Sequence, residues 1–147
     1  MNYTEYLEKC LAAPKTENEA EYLDTLRWML LSNIGSLCGG YAMPKVNKGV
    51  RSAVILDALS HLLHVVVCYG HLHEMDELLP YLEGIKQPYV ANNTDMAVVS
   101  DMFENAISLT KSSRHNPYLT SLLERVLFGL IKLAEDNGLT LNDLMDE

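Results

Sequence analysis

Residues 52–73, SAVILDALSHLLHVVVCYGHLH, are apolar in almost every direction except along one line. Asp57, His61, His64, Cys68 and His71 recur at i, i+4, i+7, i+11 and i+14, which places all five within one narrow arc of an α-helix. Val54, Ile55, Leu56, Ala58, Leu59, Leu62, Leu63, Val65, Val66 and Val67 fill the remaining directions. A helix that is apolar nearly all round must be enclosed by other elements, so this stretch predicts a buried helix around which the rest packs. Its polar line then needs a water-filled cleft, internal partners or a ligand.

The flanking sequence supplies more helices and no strands. Tyr3, Tyr6, Leu7 and Leu11 share a helical face that stops at Pro14. Thr16-Glu17-Asn18-Glu19 has the form of a capping box and opens a second helix, with Tyr22, Leu23, Leu26, Met29, Leu30, Ile34 and Leu37 on one face and an end at Gly39-Gly40. Residues 41–51, YAMPKVNKGVR, read as a loop, whose Lys45, Lys48 and Arg51 form either a solvated turn or a phosphate contact. Ser52 is the expected N-cap of the apolar helix and Gly70 its expected break, followed by a short helix that Pro80 kinks or restarts. Residues 86–93, KQPYVANN, form a linker. Thr94 caps a helix with Val98, Val99, Met102, Phe103, Ala106 and Leu109 facing inward. Asn116-Pro117 opens a last long helix, Asn137-Gly138 closes it, and Thr140 begins a final turn. No segment alternates with period two, so the expected class is all-α: one domain, residues 1–147, with a four-helix core, a short N-terminal helix and short accessory helices.

Charge and cysteine usage narrow the function classes. Eleven Lys and Arg against twenty Asp and Glu, a formal net charge of −9, argue against binding a nucleic-acid duplex, whose affinity rests on cationic contacts. Nucleotides stay open, because a metal held by carboxylates can reach their phosphates. Three widely spaced cysteines without a CxxC fit a reducing compartment. The start MNYTEYLEK has neither the basic nor the apolar region of a signal peptide, and no apolar run is expected to cross a membrane. The expectation is a cytoplasmic protein.

Placing Gly70 over Gly138 gives a gapless spacing of 68 that also sets Leu30-Leu31 on Val98-Val99, Ile34 on Met102, Leu59 on Leu127 and Leu62 on Leu130. This predicts two pseudo-repeated helical hairpins, residues 17–85 and 94–147, although amphipathic hairpins of equal loop length would share part of the pattern.

Both halves resemble the all-α nucleoside triphosphate pyrophosphohydrolases, the MazG-like and dimeric dUTPase-like group with its small phage-type members. The segment from Asp57 through Tyr69-Gly70-His71-Leu72-His73-Glu74, and that from Arg125 through Asn137-Gly138 to Asp143, look like the family's E-x-x-D helix with its apolar run, its glycine break and its short acidic helix. Residues 30–37, LLSNIGSL, resemble the helix that carries E-E-x-x-E. The resemblance implies Mg²⁺-assisted attack of water that splits a nucleoside triphosphate into monophosphate and pyrophosphate. The motif positions, however, hold Ser32, Asn33 and Ser36 in the first half and Ser100, Asp101 and Glu104 in the second, with Val54/Asp57 and Leu122/Arg125 on the other helix of each pair. Only Asp57, Asp101 and Glu104 are left as candidate metal ligands or catalytic carboxylates, and a triphosphate-bound Mg²⁺ needs several hard oxygen donors.

The expected function is therefore binding without catalysis, of a nucleotide-type ligand or of a protein partner. His61, His64 and Arg125 are the candidate nucleotide-contacting residues. An active pyrophosphohydrolase using Asp57, Asp101 and Glu104, in one chain or across a homodimer, is the alternative, and a structural or inhibitory interaction protein is a third. The polar line has its own alternatives: a solvent-facing seam, a cleft lining, or a transition-metal site in which imidazole and thiolate come from one helix and further ligands from another. Asp101 and Glu104 also suit the start of a helix for dipole reasons alone. Arg125 is expected to be buried near Asp57 or Asp101 as an ion pair. Trp28, Tyr22 and Tyr41 are either core or a base-stacking platform.

Overall fold

A computed structural model describes residues 1–12 and 17–147; Pro14 and Thr16, assigned above to a helix stop and a capping box, lie outside the described residues. The helices are α1 (Tyr3–Leu11), α2 (Glu19–Ala42), α3 (Lys48–Leu72), α4 (Leu79–Leu82), α5 (Asp95–Lys111), α6 (Leu119–Asp136) and α7 (Leu141–Met145), and no strand occurs among the described residues. The fold is all-α, as the absence of period-two patterning implies. The α2–α3 and α5–α6 hairpins pack on each other, α3 against α6 and α2 against α5, while α1 and α7 close over α3 from the other side. Neighbours on so many sides explain why α3 is apolar nearly all round: Ile55, Leu59, Leu62, Leu63, Val65, Val66 and Tyr69 are each almost completely buried. By length and composition residues 45–72 could also cross a membrane, contrary to the expectation that no run is long enough, and 61% of the most apolar 18-residue window in that stretch is buried within the fold.

Several helix ends differ from the sequence reading, and glycine is the usual reason. α2 continues through Gly39-Gly40 to Ala42. Gly40 does not end the helix but lets α3 come close: a Cβ there would stand 2.9 Å from Ile55 Cγ1 and 3.2 Å from Val54 Cγ1. The expected loop 41–51 is mostly helical, a 3₁₀ turn at Lys45–Asn47 leading into α3, so Ser52 lies inside that helix instead of capping it. Gly70 likewise sits within α3, where a Cβ would fall 2.9 Å from Leu78 Cδ1. The true stop is Glu74, held at φ 53°. Its N–H donates to the His71 carbonyl and that of Met75 to Gly70, a Schellman arrangement with glutamate in the usual glycine position. At the end of α6 the same pair of bonds runs from Gly138 to Glu135 and from Leu139 to Ala134, with Gly138 at φ 72°. α2 is capped by Asn18, which accepts from the Glu21 N–H, and α6 starts at Leu119, two residues beyond Pro117. Thr94 and Thr140 cap α5 and α7 as expected.

These ends revise the internal register. Glu74 and Gly138 occupy equivalent caps 64 residues apart, and at that spacing Ile55, Leu59, Leu62, Leu63 and Val66 fall on Leu119, Leu123, Val126, Leu127 and Leu130, all buried. Along α2 and α5 the spacing is 72: Leu26, Leu30, Ile34 and Leu37 fall on Val98, Met102, Ala106 and Leu109. Asn33 and Asn105, each donating its side-chain amide to the carbonyl four residues earlier, agree with 72. The single spacing of 68 lies midway between these two registers, because the first hairpin is longer at its tip.

Candidate functional site

The polar line of α3 divides on folding. Asp57, His61 and His71 are exposed, His64 is half-buried and Cys68 is 2 % exposed. The cover is α1, whose Asn2 and Glu5 form a reciprocal capping box and whose Tyr6 and Cys10 point inward. Cys10 completes a cluster that α3 alone does not hold: its Sγ lies 3.2 Å from His64 Nδ1, and His64 Nε2 lies 3.7 Å from Cys68 Sγ. The ligand atoms of Cys10, His64 and Cys68 all fall within 4.8 Å of one another. His64 and Cys68 sit one helical turn apart, which is why one helix presents both.

Charge within this cluster is shared unevenly. The Cys10 thiol and the hydroxyl of Tyr22 donate to Cys68, and with the His64 imidazole beside it they hold the Cys68 thiol below its ordinary range despite burial. Cys10 is pushed up by the same contact with Cys68 and by burial, and His64 is raised chiefly by the neighbouring Cys68 sulfur. Burial raises Tyr6 and Tyr22. These directions favour the charged forms of Cys68 and His64 and the neutral thiol of Cys10.

A cleft of about 290 Å³ opens above Cys10 and His64 between α1, α3 and α7, with Lys9, Asp57, His61 and Glu147 at its rim. His61 Nδ1 lies 3.4 Å from the Asp57 carboxylate, both side chains largely solvated. Cys68 is behind the floor of the cleft and not part of its lining. A nucleophile must reach its substrate, so this geometry suits Cys68 as a ligand or charge partner better than as an attacking group.

The other candidate residues line a second cleft, of about 590 Å³, between α5, α6 and the 86–93 linker. Asp101, Glu104 and Arg125 meet there, with Asn93, Tyr89 and Phe128. Its floor depends on Gly129, where a Cβ would stand 2.6 Å from Met102 Sδ. Arg125 is exposed instead of buried, and among the described residues it is in no ion pair within 4.0 Å. In the register set by the helix ends it corresponds to His61, not to Asp57. The nucleotide-contact candidates are thus separated, His61 and His64 on the first cleft and Arg125 on the second. So are the carboxylates: Asp57 lines the first, Asp101 and Glu104 the second.

The aromatic candidates do not form a platform together. Trp28 is 75 % exposed on the outer face of α2, and Phe103, expected inward, is 42 % exposed. Tyr41 lies under Arg51, whose guanidinium carbon is 5.4 Å from the ring centroid, and its hydroxyl accepts from Asn137 Nδ2. Tyr22 serves the Cys68 cluster. Tyr89 and Phe128, unmarked by the sequence reading, are the aromatics on the second cleft. Cys10 was missed as well; its signal was its place at i+7 from Tyr3 and i+4 from Tyr6 on the inward face of α1.

Comparison of the chain with known protein families, with curated proteins and with solved structures returns no match.

Proposed function

We propose that this chain is a MazG-like helical protein that binds a nucleotide-type ligand without hydrolysing it, in the cleft between α5 and α6. The observation that carries the reading is that Arg125 shares that cleft with Asp101 and Glu104. Phosphoryl chemistry in such a fold would need Mg²⁺ on several carboxylates converging from two helices. Here one helix brings two acids and the other brings a guanidinium, a fixed cation where a metal-ligating acid would be needed. Arg125 can still hold a phosphate bidentately. Tyr89 and Phe128 bring aromatic surface to the lining against which a base can pack, and Asn93 a polar group. The volume of about 590 Å³ falls in the range of small-ligand sites. The net charge of −9 makes an unpaired arginine the natural anchor for an anion on this surface.

A thermal-shift panel of nucleoside mono-, di- and triphosphates, with and without Mg²⁺, tests this reading. At least one nucleotide is expected to raise the melting temperature. Arg125→Ala is expected to weaken its binding roughly 10- to 100-fold, the cost of about 1.5–3 kcal/mol for a lost charged hydrogen bond. Pyrophosphate should not be released. Release that depends on Asp101 or Glu104 would establish the active-hydrolase alternative, and a panel with no shift would remove nucleotide binding altogether.

A further inference from the structure

The first cleft carries a separate chemistry. Two sulfurs and an imidazole from α1 and α3, with Cys10 and His64 54 residues apart in sequence, each present a ligand atom within 4.8 Å of the others. Tetrahedral zinc, with Zn–S near 2.3 Å and Zn–N near 2.0–2.1 Å, places neighbouring donors roughly 3.3–3.8 Å apart. One ligand atom from each of Cys10, His64 and Cys68 lies within 4.8 Å of the others, so a single ion needs only about an ångström of closure to bring the three to that spacing. Thiolate with imidazole is the donor set that zinc prefers over magnesium or calcium, which take oxygen. The helices arrange these donors by ordinary packing: His64 and Cys68 one turn apart on rigid, buried α3, and Cys10 on the inward face of α1.

We propose that Cys10, His64 and Cys68 form a zinc site with a fourth position directed into the cleft between α1, α3 and α7. Three protein ligands and one remaining position define an open site, in contrast to the four-ligand closure of structural zinc centres. Cys10 and His64 line the cleft floor, so the remaining position faces solvent and takes water or an anionic group of a ligand. Asp57, His61 and Glu147 at the rim are placed to hydrogen-bond whatever occupies it. The site also fastens α1, which otherwise meets the body through a short helical face, to the central helix. This inference is independent of the nucleotide cleft, which uses other helices.

The test uses the full chain, reduced and stripped of metal, titrated with Zn²⁺ against a chromogenic chelator and in parallel with Co²⁺. One equivalent of each ion per chain is expected. The Co²⁺ form should show a thiolate-to-metal charge-transfer band in the near ultraviolet and the intense visible bands of a tetrahedral ion. Cys10→Ser and His64→Gln should each weaken Zn²⁺ binding by at least about 100-fold, more than loss of an outer-shell partner usually costs. Cys38→Ser, at an exposed cysteine remote from the cluster, should leave stoichiometry and spectrum unchanged. A wild-type Co²⁺ spectrum without the charge-transfer band overturns the site whatever the variants do. So does unchanged Zn²⁺ affinity in a Cys10→Ser chain whose circular dichroism shows it folded.

Discussion

At the scale of single residues, the cost of burying polar groups is most visible at His73. It stacks on Tyr69 with ring centroids 4.6 Å apart, and its Nδ1–H donates to the Tyr69 carbonyl at 3.0 Å. Nε2 is buried without a partner among the described residues, so the neutral tautomer is the one that fits. Burial holds its pKa below the ordinary 6.5, and the guanidiniums of Arg114 and Arg27 push the same way; the Tyr69 carbonyl and Glu19 oppose them. The sign follows from linkage: as pH falls through 6.5 the unfolded chain takes up a proton that the folded chain resists, so stability is full above that pH and declines below it. Between pH 8 and pH 5 the melting temperature of wild type should drop relative to that of His73→Phe, which keeps the stack but removes the titrating group. Equal slopes for wild type and variant would show that His73 does not carry the effect. His64 is shifted the opposite way, so its removal would steepen the decline.

At the scale of elements, glycine does two jobs here that a sequence writes identically. Gly40 and Gly70 sit inside helices, where the absent Cβ makes room for Ile55 and Leu78. Gly138 ends α6 by adopting φ 72° with open space around it. The equivalent end of α3 uses Glu74 at φ 53°, a conformation that costs a β-carbon-bearing residue on the order of 1 kcal/mol. Glu74→Gly is therefore expected to raise the unfolding free energy by about 0.5–1 kcal/mol, and Gly138→Ala to lower it by about 1 kcal/mol. Denaturant titrations of both variants check the pair, and a loss in Glu74→Gly would mean that the glutamate side chain contributes more than its backbone strain costs. This double use of glycine is also why the helix ends were less legible than the helices. Periodicity announced each apolar face of α2, α3, α5 and α6, but Gly39-Gly40 and Gly70 looked like stops because no local signal separates a break from a close approach.

At the scale of the whole molecule, the enclosed position of α3 was legible because it follows from apolar residues in every direction, a property of one segment. What joins segments was not. Cys10 and His64 are 54 positions apart, and nothing near either residue announces the other. Arg125 was expected inside because its motif position suggested an ion pair, yet its place on α6 leaves it on an open cleft. Folding turns the candidate residues into two groups: a soft sulfur–imidazole cluster between α1 and α3, and a mixed acid–guanidinium cleft between α5 and α6. The central claim is that the second group binds a nucleotide. Amide chemical-shift mapping of the isotopically labelled chain during titration with a nucleoside triphosphate tests it most directly. The predicted result is a set of saturable shifts confined to residues 89–93, 100–104 and 125–129; shifts that cluster instead around residues 57–64, or none at millimolar nucleotide, would contradict it.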